Sequence, residues 1–312
     1  MDIKKIFLKP KIKIFTYFRV SLLTAIVACY AVIATSHEVE AQGLRPLGPA
    51  DQFEIQRVGA PVLSPGGDWI AYTVTETNLE EENSETRVWM VPTDGGEAIP
   101  MTASGTSSGA PQWSPDGQFL SFTGSRNDNG NQVWVLDRRG GEAVQLTNIE
   151  QGIRDYQWSP DGSQLLLTIM DPEPENEWGS EKDNAPQAPW VINRLQFKRD
   201  GQGYLTGDRH THLYTFNLET HTLSQITSGD YNESQASWSP DGQRIAFVSN
   251  RTAQPDGNQN TDIWIVGSHN TDKGQTLLQI TSNPGSDSSP SWSPDGQWIT
   301  YVSVIEPDLI WY

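Results

Sequence analysis

The chain has 312 residues, of which 39 are acidic and 21 are basic, and its formal net charge is −18 at pH 7. Because nucleic acids and anionic membrane surfaces are bound through Lys and Arg, this charge argues against both as partners. The length allows one large all-β domain or two smaller domains, whose core needs no disulfide or metal to be stable. We therefore expect neither a metal nor a cofactor.

Residues 1–41 have the order of a secretory signal peptide. Basic residues come first, an apolar run extends from Val20 to Ala34, and Val39 and Ala41 supply the small residues that precede a predicted cleavage after Ala41. The apolar run is shorter than the roughly 20 residues that span a bilayer. An uncleaved N-terminal anchor and a lipoprotein anchored through Cys29 stay open as alternatives. The mature chain is predicted to be periplasmic or extracellular.

One pentapeptide, Trp-Ser-Pro-Asp-Gly, occurs four times, and a degenerate copy spans Leu63–Gly67. The four copies supply these residues: Trp113, Pro115, Asp116, Gly117, Trp158, Pro160, Asp161, Gly162, Trp238, Pro240, Asp241, Gly242, Trp292, Pro294, Asp295 and Gly296. Pro favours the second position of a tight turn, and Gly takes a position with positive φ. An alternating apolar run follows each copy, which indicates a strand. We expect the Trp residues to be core, since each can bury about 150–250 Å².

The spacing of the pentapeptides predicts the number of repeat units. About two repeat lengths separate Pro160 from Pro240, and Phe197–Gly201 keeps the Asp-Gly of a lost copy. Six units are therefore predicted, with blades that begin near residues 61, 111, 156, 192, 236 and 290. Repeats of about 40–50 residues with four strands each are typical of β-propeller blades. The predicted fold is an all-β propeller over residues 61–312, after a lead-in with a short helix at residues 42–60.

The pentapeptide resembles the repeats of TolB-like propellers and of the N-terminal propellers of the prolyl-oligopeptidase family of serine peptidases. Two further stretches, Phe53–Tyr72 and Ile192–Tyr214, resemble the acylaminoacyl-peptidase and dipeptidyl-aminopeptidase branch of that family. The resemblance covers residues 45–312. It implies a propeller that restricts which peptides reach the Ser of an α/β-hydrolase domain, whose Gly-x-Ser-x-Gly elbow is followed by Asp and His.

No hydrolase domain is recognisable in the sequence, and Ile305–Tyr312 resembles the start of another strand. We therefore expect a C-terminally truncated chain with an incomplete ring, which is inactive without its catalytic domain. Its expected partners are that domain and peptide substrates. The alternative is a TolB-like periplasmic propeller that acts as a scaffold for a protein partner. Such a protein would place a small α/β domain before its propeller, and the short interval between Ala41 and the first blade favours the peptidase.

Glu80, Glu81 and Glu82 are the candidate substrate-binding residues. Dipeptidyl peptidases that resemble this family hold the free amino terminus of the substrate with propeller glutamates, and a carboxylate pair suits an ammonium group. The alternative for this acidic run is a solvated loop.

Three other features do not predict a site. Gly105–Gly109 matches the letters of a nucleophile elbow, but it lies in a Ser/Gly-rich connection with no helical pattern after it, so no residue is predicted to be catalytic. His210 and His212 could share a strand face, but no third metal ligand is evident. The acidic insertion at residues 171–188 is long for a blade connection, and such loops are usually functional or disordered.

Overall fold

The computed structural model describes residues 46–126, 130–172, 192, 195, 197–199, 203–204, 209–304 and 306. The predicted signal peptide, most of the acidic insertion and most of Ile305–Tyr312 lie outside the described residues. The described part is all-β, as predicted, and contains no helix long and apolar enough to cross a membrane. Residues 53–312 form one compact unit, and the residues up to Gln52 form another. In the predicted lead-in helix region, the described residues form a single 3₁₀ turn at Asp51–Phe53.

The strands are short except for one hairpin in the first sheet. They are β1 (Arg57–Val58), β2 (Val62–Leu63), β3 (Trp69–Asn78), β4 (Asn83–Pro92), β5 (Ile99–Pro100), β6 (Ser108–Trp113), β7 (Phe119–Gly124), β8 (Gln132–Asp137), β9 (Val144–Gln145), β10 (Asp155–Trp158), β11 (Gln164–Met170), β12 (Lys198–Arg199), β13 (Gly203–Tyr204), β14 (Thr211–Asn217), β15 (Leu223–Gln225), β16 (Glu233–Trp238), β17 (Arg244–Ser249), β18 (Asp262–Gly267), β19 (Leu278–Gln279), β20 (Asp287–Trp292) and β21 (Ile299–Ser303). A second 3₁₀ turn lies at Pro255–Gly257.

These strands form successive antiparallel sheets, which we number as blades in chain order. The first blade contains β1 to β5, the second β6 to β9, the third β10, β11, β14 and β15, the fourth β16 to β19, and the fifth the described pair β20 and β21. Three of them are four-stranded sheets with the order expected for propeller blades. The predicted fold class is therefore confirmed.

The third blade corrects the predicted number of units. Strand β11 pairs directly with β14, with Leu167 opposite Tyr214, so residues 171–210 join the second and third strands of a single blade. Within the described residues of this segment, β12 and β13 form a two-stranded hairpin and no four-stranded sheet begins near residue 192. The physical reason is that β14 buries Leu213 and Phe216 and can supply the apolar third strand that β11 needs. The wide spacing between Pro160 and Pro240 reflects an insertion rather than a hidden blade.

The pentapeptide folds as predicted into a tight turn between the first and second strands of a blade. In the second blade, Gly117 N donates to Ser114 O at 2.8 Å, and Gly117 has a φ of +69°. The Ser114 hydroxyl donates to Asp116 Oδ1 at 2.5 Å and accepts from Phe119 N at 2.9 Å. The Ser, Asp and Gly of the motif are thus all used within the turn.

The same turns also stack from blade to blade. A Cβ placed on Gly242 would lie 3.8 Å from Cδ of Pro160, and one on Gly296 would lie 3.6 Å from Cδ of Pro240. Each Gly therefore packs against the Pro of the preceding turn. The contact between Gly242 and Pro160 independently places the third and fourth blades next to each other.

Two of the pentapeptide Trp residues, Trp113 and Trp238, are buried as predicted, and the other two, Trp158 and Trp292, are half-buried. Trp113 is 6% exposed and shares a core cluster with Ala71 and Val88 of the first blade. Its Nε1 donates to Val62 O at 3.1 Å, and Nε1 of Trp292 makes the equivalent bond to Ser237 O at 3.1 Å. A blade alone cannot bury both faces of its sheet, so these contacts between neighbours supply the stability.

The turn carboxylates predict an acid-dependent loss of stability. The Ser114 hydroxyl and then Gln118 N hold the pKa of Asp116 below its usual value. A pKa that is lower in the folded state contributes stability above the unfolded value of about 3.9, and that contribution is lost as the pH falls through the folded value. We expect Asp116→Asn to lower the melting temperature at pH 7, and the difference from wild type to shrink toward pH ~3. Thermal unfolding followed by circular dichroism across this range tests it; a difference independent of pH would contradict it.

Candidate functional site

The long hairpin of β3 and β4 carries the candidate site. Its base is anchored by the buried residues Ala71, Val88 and Met90, whereas its outer half is polar and ends at the pair Asn78 and Asn83. Thr and Ser dominate the outer half, where cross-strand hydroxyl pairs support the ladder. Thr75 Oγ1 lies 2.9 Å from Thr86 Oγ1, and Thr77 Oγ1 lies 3.1 Å from Ser84 Oγ. These residue types explain why the hairpin extends beyond the core.

A cleft of about 730 Å³ lies beside this hairpin. Segments 53–56, 76–81, 83–85 and 105–107 line it. Phe53, Ile55 and Leu79 contribute apolar surface, and all three are exposed. Five glutamates give the cleft its charge: Glu54, Glu76, Glu80, Glu81 and Glu85. The cleft thus combines a few apolar side chains with carboxylates of one charge, a lining that suits a ligand with a cationic group and an apolar part.

Two of the carboxylates are held in place by hydrogen bonds. Glu85 Oε1 accepts from Gly105 N at 3.0 Å, and its Oε2 accepts from the Ser104 hydroxyl at 2.9 Å. Glu76 Oε1 accepts from Gln56 Nε2 at 2.6 Å. These hydrogen bonds fix the positions of the two carboxylates but do not neutralise their negative charge.

Among the described residues, no Lys or Arg forms a salt bridge with any of the five glutamates. Glu80 N donates to Asn78 Oδ1 at 3.0 Å, which shapes the tip, and Glu81 Oε2 accepts from Asn83 Nδ2 at 3.1 Å. Both partners are uncharged. The cleft therefore presents an uncompensated negative charge, which favours a cationic ligand.

The structure separates the three glutamates predicted from the sequence. Glu80 and Glu81 line the cleft, whereas Glu82 lies in the hairpin turn with a φ of +52° and is not among the lining residues. Sequence reasoning missed Glu76 and Glu85, which alternate with hydroxyl residues along β3 and β4. Their pairing in the register, Glu76 opposite Glu85, is what brings them together.

Ser107 also lines the cleft, but its surroundings are not those of a nucleophile elbow. Its Oγ accepts from Thr86 N at 3.2 Å, and the chain continues directly into strand β6 rather than a helix. An elbow needs a strand before the Ser and a helix after it. The structure thus agrees with the loop interpretation for Gly105–Ser107, whereas Ser108 and Gly109 already belong to strand β6.

The two histidines belong to different environments. His212 is buried, with Nδ1 at 2.8 Å from Glu233 Oε2 and Nε2 at 3.5 Å from Asp171 Oδ2. His210 is half-buried, and the two ring centroids lie 6.4 Å apart. The described residues contain no group of three or more His, Cys, Asp or Glu arranged to hold a metal. His212 therefore belongs to a hydrogen-bond network with Glu233 that joins the third and fourth blades.

No protein-family model matches the chain. It is 32% identical over 217 residues to the uncharacterized peptidase YuxL of Bacillus subtilis, an alignment that covers 69% of this chain and 33% of that protein. It is 24% identical over 280 residues to dipeptidyl-peptidase 5 of Porphyromonas endodontalis, covering 84% of this chain and 40% of that protein.

Among solved structures, the fold matches an acylaminoacyl peptidase of Pyrococcus horikoshii with a TM-score of 0.59 at 17% identity, over 83% of this chain and 37% of that one. At this identity the match shows the fold alone. The chain spans between a third and two fifths of the length of the two sequence relatives.

Proposed function

We propose that this chain, a β-propeller of the prolyl-oligopeptidase family of peptidases, selects the peptides that reach the catalytic domain of an exported serine peptidase. The similarity to two peptidases and the fold shared with an acylaminoacyl peptidase support the peptidase context. The basic and apolar N-terminal segment, with its predicted cleavage after Ala41, supports export. In this proposal the propeller recognises the peptide, and an α/β-hydrolase domain hydrolyses it.

The carboxylate-lined cleft carries this proposal. A peptide with a free amino terminus presents an ammonium group, which forms charge-assisted hydrogen bonds with carboxylates. Glu80 and Glu81 lie at the exposed tip of the hairpin, where a peptide can approach them. The apolar side chains of Phe53, Ile55 and Leu79 offer contact area for the residues that follow the amino terminus.

Peptide binding tests the proposal directly. We expect the chain to bind a short apolar peptide with a free amino terminus at least about tenfold more tightly than its N-acetylated copy, since a charge-assisted hydrogen bond contributes about 1.5–3 kcal/mol. Replacing Glu80 and Glu81 together by Gln should remove this preference, and added salt should weaken it. Isothermal titration calorimetry measures both effects.

Glu150→Gln is the matched control, because Glu150 is exposed and lies outside the cleft. This variant should bind both peptides like wild type. Equal affinity of wild type for the free and acetylated peptides would contradict the role of the glutamates. An unchanged preference for the free amino terminus in the variant with Gln at both Glu80 and Glu81 would also contradict it.

A further inference from the structure

Two successive blade junctions are built on the same hydrogen bonds. Between the third and fourth blades, the Thr211 hydroxyl donates to Glu233 O at 2.9 Å. Between the fourth and fifth blades, the Thr261 hydroxyl donates to Asp287 O, also at 2.9 Å. Glu233 and Asp287 each begin the first strand of their blade. The two acidic residues therefore occupy equivalent positions, and their surroundings can be compared directly.

The first of these junctions neutralises its buried acid. Glu233 is fully buried, its Oε1 forms a salt bridge with Arg251 Nη2, and its Oε2 lies 2.8 Å from His212 Nδ1. Its Oε2 also accepts from the Thr227 hydroxyl at 3.0 Å. A buried carboxylate is expected to have such partners, because burial of an unpaired charge is costly.

The second junction places an acid where the first has a histidine. Asp262 follows Thr261 as His212 follows Thr211, so an aspartate stands next to the fully buried Asp287. Asp287 N donates to Thr261 O at 2.7 Å, which holds the two segments together. The pKa of Asp262 is raised, first by its burial and then by the charge of Asp287.

Among the described residues, no cation pairs with Asp287 as Arg251 pairs with Glu233. Arg251 stands two residues after Ser249 in the sequence, and Ile305 stands two residues after Ser303. Ser249 and Ser303 are equivalent, since they pair with Glu233 and Asp287 in the two registers. Neither carboxylate oxygen of Asp287 has a hydrogen-bond partner within the described chain.

A third buried oxygen without a hydrogen bond in the described residues belongs to Ser249, which lies between Glu233 and Asp262 in the sheet of the fourth blade. Ser249 lies directly opposite Asp262 in the pairing of β17 with β18, and its hydroxyl is buried without a hydrogen bond in the described residues. Directly opposed residues project from the same face of a sheet, with Cβ atoms about 4.5–5.5 Å apart. Asp262 itself accepts from Gln279 Nε2 at 3.1 Å and from the Thr281 hydroxyl at 3.4 Å, which are uncharged donors, so no described residue compensates the negative charge of the two acids.

We propose that Asp262 and Asp287 bind a hard divalent cation, with Ca²⁺ as the best fit, between the fourth and fifth blades. Ca²⁺ accepts only oxygen ligands and tolerates irregular geometry, so two carboxylates, the Ser249 hydroxyl, and carbonyl or water oxygens can complete its shell. The ion takes the place that His212 and Arg251 fill one blade earlier. It would tie the fifth blade to the fourth.

Calcium titration of chelator-treated protein tests this site. We expect one Ca²⁺ per chain by isothermal titration calorimetry, together with a melting temperature that rises with Ca²⁺ concentration. Asp287→Asn and Asp262→Asn should each weaken binding by at least about tenfold, because each removes a charged ligand. Without Ca²⁺, both variants should be as stable as wild type or more stable, since the repulsion between the acids is relieved.

Asp295→Asn is the control, because Asp295 is an exposed turn residue of the same blade and should leave Ca²⁺ binding unchanged. Luminescence of Tb³⁺ sensitised by Trp264, which lies two residues from Asp262 on the same strand, gives a second signal that needs no variant. Absence of stoichiometric binding of either ion to wild type would overturn the proposal and leave a shared proton as the neutralising charge. Wild-type affinity in both Asn variants would also overturn it.

Discussion

Arg251→Met is expected to destabilise the propeller by about 3–5 kcal/mol, because it leaves a buried carboxylate without its main cationic partner. Glu233 is 0% exposed, and Arg251 Nη2 donates to its Oε1. The guanidinium also lies 4.6 Å from the ring centroid of Tyr231 and 5.6 Å from that of Trp264. Removing the arginine therefore loses the ion pair and the cation–π contacts together. Urea unfolding of wild type and variant measures the loss.

Two further variants separate the charge from the packing. Arg251→Lys keeps the charge but not the planar fork, so it should retain part of the stability. Combining Arg251→Met with Glu233→Gln should recover much of the loss, since no unpaired charge is then buried. If the double variant is as unstable as Arg251→Met alone, the packing of the guanidinium dominates and the electrostatic explanation is wrong.

Local features of this fold could be predicted from the sequence, because they depend on residues next to each other. The turn at Ser114–Gly117 follows from the dihedral preferences of Pro and Gly and from the short reach of the Ser and Asp side chains. The strand after each turn follows from its alternation of apolar and polar residues. The burial of Trp113 follows from its size.

Features that depend on distant pairing could not be predicted in the same way. The prediction of a separate unit near residue 192 was wrong. Strand β11 pairs with β14, and the segment between these two strands is an insertion whose length resembles that of a repeat. Of the five glutamates that line the cleft, the sequence singled out only Glu80 and Glu81, which are adjacent to each other. Glu76 and Glu85 join them only through the register of the long hairpin, which no local pattern specifies.

The two acids at the junction of the fourth and fifth blades could not be predicted from the sequence for the same reason, because they are brought together by the fold. Asp262 and Asp287 each lie in an unremarkable strand sequence, and neither suggests a binding site when taken alone. The comparison of equivalent positions in the two junctions shows that no described residue supplies Asp287 with the positive charge that Arg251 supplies to Glu233. In a repeat protein, a position that departs from its counterpart in the neighbouring repeat is therefore informative about ligands.

Trp113→Ala should cost about 3–5 kcal/mol of unfolding free energy, because it empties the space between the first and second blades. The indole packs with Ala71 and Val88 across the blade interface and donates to Val62 O at 3.1 Å. Urea unfolding gives the value, and Trp113→Phe should cost less because it keeps an aromatic ring and loses mainly the hydrogen bond. Trp298→Ala is the matched control, since Trp298 is 71% exposed and should change stability by no more than about 0.5 kcal/mol. A similar cost at both positions would mean that the indole of the pentapeptide does not join neighbouring blades, and the stability of the propeller would then have to come from within each sheet.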